Sequence, residues 1–123
     1  MGAKILLVED DPINQEITRE QLRYAGLLVE TANNGKEAIE MACRTDYDVI
    51  LMDMQMPMMD GPEATRQIRL IPDKNKVPII AMTANVFNED RETCFQSGMD
   101  DFLGKPVESE ALYATLLRWI EKP

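Results

Sequence analysis

VILMDMQMPMMD, residues 49–60, is the stretch on which the reading of this chain turns. Its first four residues, Val49, Ile50, Leu51 and Met52, have the length and apolar continuity of a strand buried on both faces, and they deliver Asp53 to the strand end. Pro57 and the pair Asp60-Gly61 stop any continuation. In an open parallel sheet, ligands bind where strands run out into loops. A carboxylate at that place is a candidate metal ligand, a candidate nucleophile, or both.

Toward the N-terminus a second apolar run, Ile5 to Val8, stops at Glu9, Asp10 and Asp11, so two strands end in carboxylates. Asp11 suits a helix N-cap and Pro12 the first turn; Ile13, Ile17, Leu22, Tyr24 and Ala25 predict the buried face of that helix, and Gly26 its C′ position. Leu27 to Ala32 reads as an edge strand, because Glu30 and Thr31 interrupt its apolar character. Asn33-Asn34-Gly35 turns the chain into a helix from Lys36 to Arg44, with Ala38, Ile39, Met41 and Ala42 facing inward.

On the C-terminal side, Pro62 opens a helix in which Ala64 and Ile68 stand four apart, and Pro72 closes it. Ile79 to Met82 is the next strand, ending at Thr83-Ala84. A helix from Asn88 to Gln96 follows, with Phe87, Cys94 and Phe95 on its apolar side and Gly98 as its cap. Asp101 to Gly104 is a short strand that runs directly into Lys105-Pro106. The last helix, from Glu108, carries Leu112, Leu116, Trp119 and Ile120 on one stripe. Strand and helix thus alternate five times with no internal repeat or linker, which predicts one doubly wound α/β domain over residues 1–123 with a parallel sheet.

The 123 residues and 45% hydrophobic composition suit a single core that needs neither metal nor disulfide to fold. A net charge of −9, from 13 basic and 22 acidic residues, argues against nucleic acid or an anionic membrane as a direct partner and favours cations or basic protein surfaces. Cys43 and Cys94 stand apart on separate helices, outside any CxxC spacing, as expected in a reducing compartment, with cytoplasm the default. No apolar run reaches the roughly 18 residues of a spanning helix, and Leu6 stands where a myristoylation signal wants Ser or Thr.

If the sheet is parallel, its strand ends assemble Glu9, Asp10, Asp53, Thr83 and Lys105. Carboxylates about 5 Å apart repel by roughly 3 kcal/mol per pair at an effective dielectric near 20, so the set calls for a cation. All-oxygen ligation without histidine points to Mg²⁺. Thr83 offers a hydroxyl and Lys105 a positive charge to an anion beside the metal, and a phosphoryl group fits that anion. Asp53 is then positioned as a nucleophile toward phosphorus.

LLVED (6–10), VILMDMQMPMMDG (49–61), MTA (82–84) and GKP (104–106) occur in that order, each at a strand end. Together they resemble the receiver domain of two-component response regulators, over essentially the whole chain. The resemblance implies a flavodoxin-like sheet in strand order 2-1-3-4-5, with Asp53 accepting a phosphoryl group from a phosphohistidine. It implies that Glu9 and Asp10 form the acidic pair of a Mg²⁺ site completed by Asp53 and the main-chain carbonyl of Gln55. Thr83 and Lys105 would bind the phosphoryl oxygens, the Lys105-Pro106 peptide would be cis, and Thr83 and Phe102 would form the switch. Phe102 lacks the hydroxyl of the Tyr frequent at that position. The resemblance also implies that Gln55 and Asn85 occupy positions that set acyl-phosphate lifetime. EDDPIN (9–14) is similar to receivers attached to hybrid sensor kinases. The implied partners are a sensor histidine kinase or a histidine phosphotransfer domain upstream and an output protein or domain downstream, with no turnover of an external substrate.

Each residue also has a plainer reading: Asp53 as a turn residue, Glu9-Asp10-Asp11 as a solvated acidic run, Thr83 as a strand residue, Lys105 as a surface charge and Phe102 as a core aromatic. Their joint placement is what favours a site. The methionines of residues 52–59 fit core filling better than a copper site. Among competing functions, a small Mg²⁺-dependent aspartyl-phosphate phosphatase would want a second acid where Gln55 stands, and a non-phosphorylated docking module would not need the intact set. A flavin binder would want a Ser, Thr and Gly phosphate cradle in the first loop.

Overall fold

The computed structural model describes residues 2–84 and 88–120, with the backbone only at 88–90. Five strands, β1 (Lys4–Val8), β2 (Leu28–Ala32), β3 (Val49–Asp53), β4 (Ile79–Thr83) and β5 (Asp101–Gly104), form one sheet in the order β2-β1-β3-β4-β5. All four pairings are parallel. Between them run α1 (Pro12–Tyr24), α2 (Gly35–Arg44), α3 (Gly61–Arg69) and α4 (Asn88–Ser97), with α5 (Ser109–Ile120) after β5. The doubly wound α/β architecture and the strand order are those expected.

Every residue of β3 is buried, because successive side chains feed two different cores. Ile50 and Met52 join Ala38 and Ala42 of α2 and Ala64 and Ile68 of α3, while Val49 and Leu51 join Leu22 of α1 and Leu112 and Leu116 of α5. The chain moves outward from β1 to β2 and then crosses to β3 on the other side of β1, so the order reverses between β1 and β3. That reversal leaves a crevice at the carboxyl ends of these two strands.

Two helix faces differ from the sequence expectation. On α1 the buried residues are Thr18 and Leu22, whereas Ile13, Ile17 and Tyr24 are 71%, 54% and 88% exposed, and Ala25 is exposed as well. Gln21, partly buried beside Leu22, has partners that only the tertiary structure supplies. Gln21 Nε2 donates to the Val107 carbonyl and to Ser109 Oγ, and Tyr113 Oη donates to the Gln21 carbonyl. These bonds fasten α1 to the segment that leads into α5. On α4, Cys94 and Ser97 are buried and Phe95 is 48% exposed; Phe87 lies outside the described residues. The caps are as read: Asp11 Oδ1 accepts the Ile13 N–H, and Gly26 takes the left-handed φ of 84° that ends α1.

Candidate functional site

Asp53 closes β3, and Glu9 and Asp10 follow β1 directly, so the strand reversal puts all three at one mouth. Glu9 and Asp53 are each only 2% exposed, while Asp10 reaches solvent. One carboxylate oxygen from each of the three lies within 4.8 Å of the other two. At an effective dielectric near 20, each ionised pair at that spacing costs about 3.5 kcal/mol.

One cation is built in. Lys105 Nζ lies 2.9 Å from Asp53 Oδ1 and 3.2 Å from Glu9 Oε1. Its main-chain N–H donates to the Thr83 carbonyl at 2.7 Å, which fastens the residue after β5 to the end of β4. Burial works against the Lys105 charge, but the hydrogen bond and attraction of Asp53, with those of Glu9, outweigh it and hold its pKa above the ordinary lysine value. The Lys105-Pro106 peptide is cis.

A single ammonium cannot neutralise three acids. Desolvation, followed by hydrogen bonding to and repulsion from Asp53, pushes the Glu9 carboxyl from 4.5 up to about 7, against the lowering pull of Lys105 and the Asp11 N–H. Asp53 Oδ1 accepts from Lys105 and, at 3.3 Å, from the Gln55 N–H. Asp53 Oδ2 is buried with no hydrogen-bond partner among the described residues. A buried carboxylate oxygen left in that state is costly unless a ligand completes it. The orphaned oxygen, the all-oxygen donor set and the surplus negative charge fit a hard divalent cation.

Thr83, 4% exposed, is the last residue of β4, one place beyond Met82, which pairs with Asp53. Phe102 pairs with Ala81 and is half-buried against the core. Its ring also meets α4, with the Arg91 guanidinium 5.0 Å from the ring centroid and the Phe95 ring edge-on at 6.5 Å. Asn85 lies outside the described residues. Met52, Met54 and Met56 are buried in one apolar cluster, with Met59 packed against it, while Met58 is 94% exposed.

Two supporting residues escaped the sequence reading. Gly61 reads from the sequence as a turn residue and the last residue of the third motif, yet a Cβ there would lie 2.3 Å from the Asp53 carbonyl oxygen, so α3 can start this close to the site only with glycine. Gln15 donates through Nε2 to the Glu9 carbonyl at 2.9 Å and to Asn33 Oδ1 at 3.0 Å. No periodicity or propensity distinguishes Gln15 from a solvated helix residue.

A family model described as the response regulator receiver domain matches residues 5–117. The chain belongs to that family. Histidine kinase 5 of Arabidopsis thaliana is 36% identical over 95% of the receiver chain, which covers 16% of that protein. The receiver domain of the sensor histidine kinase PA1611 from Pseudomonas aeruginosa, solved with a magnesium ion coordinated in its active-site cleft, is 46% identical with a TM-score of 0.93, over 99% of this chain and 100% of that one. The receiver domain of the response regulator Ssk1, solved with the histidine phosphotransfer protein Ypd1 of Saccharomyces cerevisiae, is 34% identical with a TM-score of 0.90, over 96% and 88% of the respective chains. This receiver domain spans 19% of the length of the transcription factor SKN7 of Saccharomyces cerevisiae and 6% of that of the hybrid signal transduction histidine kinase B of Dictyostelium discoideum, two curated relatives it matches. Among its described residues, no helix is long and apolar enough to cross a membrane.

Proposed function

We propose that this receiver domain is a phospho-accepting switch of a two-component system or phosphorelay, in which Asp53 receives a phosphoryl group from a phosphohistidine. The donor is a sensor histidine kinase or a histidine phosphotransfer domain, the site of action is the cytoplasm, and a downstream protein or domain reads the result. The observation that carries this reading is the state of Asp53: buried, with Lys105 on one oxygen and the other oxygen without a partner among the described residues, beside two further acids.

In the transfer, a carboxylate oxygen of Asp53 bonds to phosphorus as the phosphorus–nitrogen bond of the donor breaks. The departing imidazole keeps the electron pair and takes up a proton. Mg²⁺, held by Asp10, Asp53 and the Gln55 carbonyl with Glu9 beside them, would supply positive charge to the acids and the phosphoryl oxygens. Lys105 follows the charge as it moves from the carboxylate to the phosphoryl oxygens, and the Thr83 hydroxyl donates to one of them. Phe102 responds through its contacts with Arg91 and Phe95, changing the surface of α4 and β5 that a partner meets. No external substrate is turned over; the acyl phosphate is made and later hydrolysed on the same aspartate.

The test is intact-mass spectrometry after incubation with acetyl phosphate and Mg²⁺, comparing wild type with Asp53→Asn. One labile phosphoryl adduct on wild type alone is the expected result. No adduct, under conditions that modify a known receiver, would return the domain to the class of docking modules.

A further inference from the structure

We propose that Gln15 is a positioning residue of the acidic site: its side-chain amide ties the Glu9 carbonyl to Asn33 and holds the turn bearing Glu9 and Asp10 in the form a divalent cation requires. The inference rests on the receiver reading of that site and assigns a role to a residue outside it.

Gln15 sits in α1, half-buried, and its Nε2 spends both hydrogens on one junction, the Glu9 carbonyl at 2.9 Å and Asn33 Oδ1 at 3.0 Å. Three segments meet there: the end of β1, the start of α1 and the turn after β2. Asn33 is itself fixed, since its N–H donates to Glu37 Oε1 at 2.9 Å and the Glu37 N–H donates to Asn34 Oδ1 at 2.8 Å. The anchor of the clamp is therefore the capped N-terminus of α2. On the other side, the Glu9 N–H donates to the Ala32 carbonyl at 3.1 Å, and the Asp11 N–H to Glu9 Oε2 at 3.2 Å. Both neighbours of Asp10 are thus tied through their main chain.

The need for such a clamp follows from the charges. Glu9, Asp10 and Asp53 repel one another, and the contacts of Lys105 reach Glu9 and Asp53. The exposed turn at Asp10 is the part free to relax outward. A clamp formed with the fold opposes that relaxation before any cation arrives, so the cation does not have to gather its own ligands. An amide suits this task, because it donates twice and adds no charge to an already crowded site.

Gln15→Met keeps the length and helix propensity of the side chain and removes both donors. Mg²⁺ binding to the full chain is measured by isothermal titration calorimetry, and Tm in EDTA and in saturating Mg²⁺. The expected result is Mg²⁺ affinity about five-fold weaker, the scale of one net hydrogen bond, with a smaller Mg²⁺-dependent rise in Tm. Asn33→Ala, which removes one anchor and leaves the Glu9 arm, should weaken Mg²⁺ in the same direction by less. Unchanged Mg²⁺ affinity with a lower Tm in EDTA would assign Gln15 to fold stability alone and overturn the proposal. Wild type that takes up no Mg²⁺ would overturn the receiver reading together with it, a failure visible before any variant is compared.

Discussion

Replacing Glu9 by Gln should make the folded domain more stable at pH 8 in EDTA, although it removes a residue of the site and a partner of its lysine. The cause is the position of the Glu9 carboxyl, raised from 4.5 to about 7 by burial and by Asp53. Between those two values the folded chain holds a proton that the unfolded chain has lost, so the stability of wild type falls as pH rises across that window. The contribution is complete below about 4.5 and gone above about 7. Its full size is on the order of 3 kcal/mol, from roughly 1.4 kcal/mol per pH unit, and sharing of Lys105 between Glu9 and Asp53 makes that a ceiling. The chain contains no histidine, so no other side chain with an ordinary pKa titrates in the middle of the window. A glutamine reproduces the protonated form: its oxygen can accept the Asp11 N–H and its amide can donate toward Asp53. Urea denaturation of wild type and Glu9→Gln at half-unit steps from pH 5 to 8, in EDTA, measures the difference. Wild type should lose stability across the series while the variant stays nearly level. Saturating Mg²⁺ should move the wild-type decline to lower pH, because a cation beside Glu9 favours its ionised form. A wild-type curve that is flat or rises from pH 5 to 8, or a variant that keeps the wild-type slope, would refute the assignment of this charge to Glu9.

Lys105→Met removes the ammonium from Asp53 and Glu9, and the rate of adduct formation with acetyl phosphate at fixed Mg²⁺, followed by intact mass, should fall by about 100-fold. Gly61→Ala forces a methyl group against the Asp53 carbonyl oxygen and the Met54 backbone; it should cost about 2 kcal/mol in urea denaturation, within the range for overpacking, and slow adduct formation as well. Ile13→Ser should change stability by less than about 0.5 kcal/mol, as for an exposed position; a loss of 2 kcal/mol or more in the same assay would restore Ile13 to the core.

Ile13 marks the kind of feature the sequence leaves open. Apolar periodicity identifies α1 as a helix, but that its docked face is Thr18 and Leu22, and that Gln21 bonds Val107 and Ser109, is decided only in the tertiary structure. Glutamine bonded to another helix and glutamine bonded to water look alike in a sequence. The same holds for Gln15, whose two partners come from the ends of different strands. Cys94 and Phe95, adjacent on α4, also divide between core and surface only once the helix has docked.

What the sequence determined by itself was the alternation of elements, their caps and the residues at the strand ends. Those are local properties: an apolar run of strand length, a proline or glycine at a boundary, an acid or lysine one step beyond. The ordered motifs then pointed to the receiver family and to the order 2-1-3-4-5. Tertiary structure decided what local pattern cannot carry, namely distances and burial. It brought Glu9, Asp10 and Asp53 within 4.8 Å, put Lys105 between two of them, and left Asp53 Oδ2 without a partner among the described residues. Electrostatic energy depends on separation in space and on exclusion of water, and both are set by the crossing from β2 past β1 to β3.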